Sequence, residues 1–271
     1  MHEHSDGRLA HGLGGWGRGD GSLVATRDVE GAGVPEEFEG DLAGAVFWGA
    51  DLRGAQFRDV DLSEARITHA WLDDVEIDAY VERMVVNGVD VTAVVHEHDR
   101  WYPLRTVLRV ADPDAMRTGW AQLREAWATT TARARRLPDE LLDASVEGEF
   151  SFVQTLRHLV FAMDKWVTAP VLGGRFSAIG LPNTGSRDFP WPDLDLDATP
   201  TLADVLAVRD ERTARLADHL AQIGADDLER TVDVLENGPH PTRDCIATVF
   251  EEEFWHLRYA DRDLAVLEAR P

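Results

Sequence analysis

Between residues 42 and 77 a large apolar side chain recurs at every fifth position: Leu42, Phe47, Leu52, Phe57, Leu62, Ile67, Leu72 and Ile77. The position two before each is small or β-branched: Gly40, Ala45, Ala50, Ala55, Val60, Ala65, Ala70 and Val75. Polar residues fill most of the rest, as in Ala50-Asp51-Leu52-Arg53-Gly54. A helix repeats its faces every ~3.6 residues and a strand every ~2, so neither produces this register. A short period kept through eight units is the mark of a solenoid.

Helical punctuation takes over further along. Asp112-Pro113 is an N-cap followed by a proline at the first helical position. Trp120, Leu123 and Trp127 follow at helical spacing, and the pattern ends near Leu137-Pro138. Ser151-Phe152-Val153-Gln154 is a capping-box pattern that opens a helix to about residue 168. Thr201, after Pro200, opens another to about Gly224, and Thr242 opens the last, to about Leu267. Four such helices predict a bundle, a setting in which inward side chains build metal sites. The segment from Asn87 to Arg109 reads as a transition with a short helix over 89–98. His96 and His98 fall on different faces of it and read as exposed histidines. Residues 170–200, rich in Gly, Pro and aromatics, form either a lid over the bundle opening or an ordered surface crossover. Residues 1–35 lack periodicity and read as a loosely ordered arm, with His2, His4 and His11 as surface histidines.

Composition narrows the function classes. The net charge of −23 repels nucleic-acid phosphates and anionic lipid. Lys165 is the sole lysine, and arginine carries the rest of the positive charge. The single cysteine, Cys245, rules out an internal disulfide and fits a reducing compartment. No apolar leader region or membrane-length stretch is evident, so the expectation is a soluble, cytoplasmic protein.

Glu252 and His256 stand four apart, on one face of the last helix. Cys245, Val249, Glu252, His256, Tyr259 and Asp263 trace a stripe beside the mostly apolar row Ile246, Phe250, Glu253, Leu257, Ala260 and Leu264. An ionised carboxylate on a buried face needs a cation or several hydrogen bonds. His158, on an earlier helix, flanks the apolar stripe Phe152, Leu156, Leu159, Met163 and Trp166. Three protein ligands with an open position suit a catalytic metal rather than a structural one. Read alone, a helical histidine such as His158 is more often a hydrogen-bonded core residue, and Glu252 is compatible with an arginine partner.

Two resemblances add to this reading. Residues 36–88 resemble the pentapeptide-repeat family, whose fold is a right-handed quadrilateral β-helix with small and large residues alternating inside. Residues 113–271, beyond a connector at 89–112, resemble the DinB-like family of metal-binding four-helix bundles. The implied class is α+β, a short β-helix followed by the bundle. Thr155-Leu156-Arg157-His158 and Glu252-Glu253-Phe254-Trp255-His256 match the branch that includes mycothiol-dependent maleylpyruvate isomerase. In that branch a histidine and a Glu-x-x-x-His pair bind zinc.

The resemblance implies a metal-dependent thiol S-transferase. His158, Glu252 and His256 would be both ligands and catalytic residues. The metal would be Zn²⁺, with Ni²⁺, Mn²⁺ or Fe²⁺ as alternatives. A low-molecular-weight thiol, mycothiol in the first instance, would be activated as a metal-bound thiolate to attack a small electrophile. Lincosamide-type antibiotic biosynthesis is one setting for such chemistry. Cys245 then serves as a small core residue, and Arg157, Asp164, Arg243 and Arg258 are the candidates for holding the thiol. Asp164 or Asp263 are further candidates for orienting a metal-bound histidine. A homodimer is the expected assembly. The alternatives are cis–trans isomerisation at the same site and a non-enzymatic acidic repeat protein that binds a partner.

Overall fold

The computed structural model describes residues 38, 40–58 and 60–270. The expected N-terminal arm, with its three histidines, lies outside them. The described chain divides into two units between Val75 and Glu76.

In the first unit the backbone follows the five-residue rhythm. Gly44, Gly49, Gly54, Glu64, His69 and Asp74 all have positive φ. Each follows one of the large apolar residues by two. The amides of Ala45, Ala55 and Ala65 donate to the carbonyls of Leu42, Leu52 and Leu62 at 2.9–3.0 Å. A positive φ at the third position of such a turn is the type II signature, which favours glycine there. The carboxylates of Asp41, Asp51 and Asp61 accept from the amides of Ala43, Arg53 and Ser63, closing Asx turns every ten residues. No strand forms between residues 40 and 76 among the described residues. Leu42, Phe47, Leu52, Phe57, Leu62, Ile67 and Leu72 are exposed. The expectation that they pack inward is therefore corrected. A repeat buries its apolar face only against stacked neighbours, and a short array supplies few of them.

The second unit is helical. It opens with a hairpin, β1 (Val85–Val86) and β2 (Val89–Asp90), which pair antiparallel. Asn87 and Gly88 turn the chain, both with positive φ, as a two-residue hairpin requires. Two short helices follow, α1 (Thr92–His98) and α2 (Tyr102–Arg105). His98 is exposed as expected, but His96 is half-buried, stacked on Tyr102 with ring centroids 3.7 Å apart.

The bundle consists of α3 (Pro113–Ala134), α5 (Phe152–Met163), α6 (Leu202–Leu220) and α8 (Thr242–Glu268). Short helices α4 (Asp139–Leu142) and α7 (Ala225–Leu228) lie in the connections, and β3 (Thr231–Asp233) pairs antiparallel with β4 (Pro239–Pro241) ahead of α8. Helix α8 packs on α3 and α5, and α6 closes the ring by packing on the same two. The caps are those the sequence predicts: Asp112 accepts from the amides of Asp114 and Ala115, and Ser151–Gln154 forms a full capping box.

Helix α5 is buried at every position except Gln154. Its neighbours cover it on all sides, so whatever polar group it carries is held in the interior. Beyond Met163 the coil widens into a π turn at Asp164–Thr168. Such turns are rare and are often found at functional sites. The 170–200 segment is an ordered crossover, whose Phe176 and Trp191 pack with Phe161 of α5 in a small core of their own.

Candidate metal centre

Helix α5 presents His158 and helix α8 presents Glu252 and His256 to a common point. One ligand atom from each side chain lies within 4.8 Å of the other two. His158 Nε2 is 3.3 Å from Glu252 Oε2, and His256 Nδ1 is 3.3 Å from the same oxygen. The side chains of His158 and Glu252 are 7% and 11% exposed, and that of His256 is 19% exposed. The trio is therefore interior, and solvent reaches it mainly from the His256 side.

A backbone carbonyl engages Nδ1 of each ring: on His158 this is the nitrogen opposite the one facing Glu252 Oε2, and on His256 it is the nitrogen 3.3 Å from that oxygen. His158 Nδ1 donates to the carbonyl of Leu181 at 3.0 Å, and His256 Nδ1 to that of Glu252 at 2.9 Å. A proton committed to Nδ1 turns the lone pair of His158 Nε2 toward Glu252. This is the arrangement in which a carbonyl fixes the tautomer of a metal-ligating histidine. The 3.3 Å between His158 Nε2 and Glu252 Oε2 is close to the ~3.3 Å edge of a tetrahedron with zinc-type bonds.

Electrostatics point the same way. Burial disfavours the charged form of both His158 and Glu252, yet their hydrogen bond and mutual attraction prevail. They hold His158 above its ordinary pKa and Glu252 below the usual carboxylate range. A bound cation would supply the positive charge that this attraction calls for beside Glu252, in place of a proton on His158.

The four residues considered for holding a thiol sit in different surroundings. Arg157 is buried, with its Nε donating to the Ile179 carbonyl at 2.9 Å. Asp164 is fully buried, accepting from Arg212 Nε at 2.6 Å and the Ser177 amide at 2.7 Å. Burial raises its carboxyl above the usual range despite those partners. Arg243 pairs with Glu229 and Asp244 near the start of α8. Arg258 pairs with Asp78 and lies over the Trp255 ring. Asp263 pairs with Arg262.

Several features of the site are invisible to residue spacing. The Leu181 carbonyl is backbone, so no side-chain motif announces it. Glu253, the neighbour of Glu252, is 2% exposed and forms a two-point ion pair with Arg209, at 3.1 and 2.9 Å. Lys165 pairs with Glu236 and lies 5.1 Å from the Trp191 ring centroid, and its charge acts on both His158 and Glu252. Its isolation as the sole lysine is the one signal the sequence offers for it. Cys245 is buried, and its thiol is pushed up to about 12, chiefly by burial.

The family model of the DinB superfamily matches residues 122–260, just over half of the chain and all of the trio. The chain belongs to the DinB superfamily. A second model, for pentapeptide repeats, matches eight copies over residues 41–76. No curated protein and no solved structure matched. The DinB superfamily includes metal-dependent thiol-related enzymes, and a His/Glu cluster suited to a metal is present in this member. No helix among the described residues is long and apolar enough to cross a membrane.

Proposed function

We propose that this DinB-superfamily member is a metal-dependent S-transferase that uses a low-molecular-weight thiol, mycothiol in the first instance, against a small electrophile. The observation carrying the reading is the convergence of two imidazoles and one carboxylate in the bundle interior, with the His158 ring tethered through Nδ1 to the Leu181 carbonyl. That donor set fits a borderline divalent cation, with Zn²⁺ first and Ni²⁺, Mn²⁺ or Fe²⁺ as alternatives. A cation bound there would favour the ionised form of a thiol that reaches it.

The chain's own residues do the rest. Leu181 holds the His158 ring in one tautomer, and Glu252 supplies the negative charge between the two rings. The thiol approaches from the side of His256, the most exposed member of the trio. Its S–H proton passes to solvent, sulfur forms a bond to the electrophilic carbon, and the leaving group departs with the electron pair. The sulfur comes from outside the chain, because Cys245 is buried and its thiol remains protonated.

Replacing the metal with Co²⁺ and titrating mycothiol tests this. A thiolate-to-cobalt absorption band that saturates at one thiol per chain supports the reading, and a cobalt-loaded protein whose spectrum ignores mycothiol overturns it. The repeats belong to the same proposal as a short five-residue solenoid, supported by the positive φ at Gly44, Gly49, Gly54, Glu64, His69 and Asp74. A cytoplasmic homodimer completes it, and sedimentation equilibrium tests the assembly.

A further inference from the structure

The buried arginines of the helical unit follow a rule with one exception. Arg105 pairs with Asp78 and Asp99, Arg209 with Glu253, and the largely buried Arg212 with Asp164. Arg157 is 8% exposed, yet no carboxylate among the described residues forms an ion pair with it. Its Nε is used by the Ile179 carbonyl, while its Nη2 is buried without a hydrogen-bond partner. An interior guanidinium with an unused donor and no ion-paired carboxylate is costly unless an anion completes it.

The position of this guanidinium ties it to the metal trio. Arg157 immediately precedes His158 on α5. The two side chains bond to carbonyls two residues apart on one stretch of the crossover, Ile179 and Leu181. The Leu181 amide returns a bond to the Arg157 carbonyl at 3.2 Å. One strap of chain therefore covers both the guanidinium and the imidazole. The crossover also brings up Arg187, which is exposed, and Asp195. Burial works against the charge of Arg157, Asp195 supports it, and Arg187 opposes it.

We infer that Arg157, assisted by Arg187, forms a carboxylate subsite beside the metal trio, so that one of the two reactants is a carboxylic acid. The inference rests on the proposed thiol chemistry for the identity of those reactants, and on the orphaned guanidinium alone for the anion. The fork of donors on arginine suits a planar carboxylate, and the buried setting strengthens the bond.

The test uses the full chain loaded with Co²⁺. Binding of 3-mercaptopropionate is compared with that of 2-mercaptoethanol through the thiolate-to-cobalt band, and acetate is titrated against the 2-mercaptoethanol-bound protein by paramagnetic broadening of its methyl resonance. If the thiol carries the carboxylate, the wild type prefers 3-mercaptopropionate at least tenfold, and Arg157→Gln erases the preference. If the electrophile carries it, the thiols bind alike, acetate binds beside 2-mercaptoethanol, and Arg157→Gln weakens acetate at least tenfold. Arg187→Gln, at an exposed position, weakens the same ligand severalfold even if the Arg157 variant fails to fold. If cobalt is not held, the proposed function fails by itself, and calorimetric titration of acetate into the metal-free chain still decides the subsite. Equal affinities for 3-mercaptopropionate and acetate in the wild type and both variants overturn the inference.

Discussion

The repeat segment and the helical bundle are both strictly periodic in sequence, yet only one of them buries its apolar residues. In the bundle, Leu156 and Leu159 of α5 and Leu257 and Leu264 of α8 have at most 1% of their surface exposed. In the repeats, Phe57 is 56% exposed and Ile67 is 70% exposed. The difference lies in what each element faces. Each bundle helix packs against two others around the ring, so a stripe of apolar residues always meets another stripe. The repeats shape the backbone locally, through Asx turns and left-handed residues, without needing a second layer. Periodicity therefore fixes conformation in both regions, but burial follows only where a partner surface exists. A buried metal centre can form only in the second kind of region.

Breaking an interior ion pair gives the largest contrast. Arg209→Ala leaves Glu253 buried and unpaired, which is expected to cost about 3–5 kcal/mol in denaturant unfolding. A loss below ~1 kcal/mol would show that the interior of the bundle is wetter than the geometry implies. Next comes a matched pair of truncations. Leu156→Ala in the fully buried centre of α5 is expected to cost about 2–5 kcal/mol. Phe57→Ala in the repeats should stay within about 0.5 kcal/mol. Equal losses at the two sites would mean that the repeats are covered in solution.

A smaller effect is expected inside the repeats. Gly54 has φ +75°, and a methyl group added to its Cα would meet nothing within 4 Å, so Gly54→Ala adds backbone strain of about 1–2 kcal/mol without a clash. Glu64→Gly, at the equivalent turn position with φ 63°, should act in the opposite direction. Amide hydrogen exchange at residues 55 and 65 reads both, and changes of the same sign would contradict the turn assignment. The smallest effect is no effect. With its thiol raised to about 12, Cys245 stays protonated throughout the neutral range and titrates only in strong base. Thiol-specific alkylation of the native protein at pH 8 should leave it unmodified, and rapid labelling would refute its burial.

Much of the helical unit is legible in the sequence, because helix starts are local chemistry. Asp112-Pro113, Ser151 with Gln154, and Thr201 with Asp204 each open a helix where the capping pattern predicts it. The spacing of Glu252 and His256 places two groups on one face, and the apolar stripe beside His158 places it inside. The Asn87-Gly88 hairpin is also written locally, in a segment whose wider pattern marks only a transition. What escapes depends on tertiary placement. Which member of the run Glu251-Glu252-Glu253 meets Arg209 and which meets His158 is set by the rotation of α8 against α5 and α6. The exposure of the repeat residues depends on neighbours that the period cannot specify. The orphaned Nη2 of Arg157 becomes visible only once every nearby carboxylate has been assigned a partner.

The central claim is that His158, Glu252 and His256 together hold one divalent metal. Elemental analysis of the purified full chain, beside Glu252→Gln and His158→Ala after identical reloading with Zn²⁺ and desalting, tests it most directly. The account predicts one metal per wild-type chain and an affinity at least about a hundredfold weaker in each variant, with circular dichroism confirming that both variants fold. A folded wild type that retains no zinc, or variants that retain it as well as the wild type, would contradict the account.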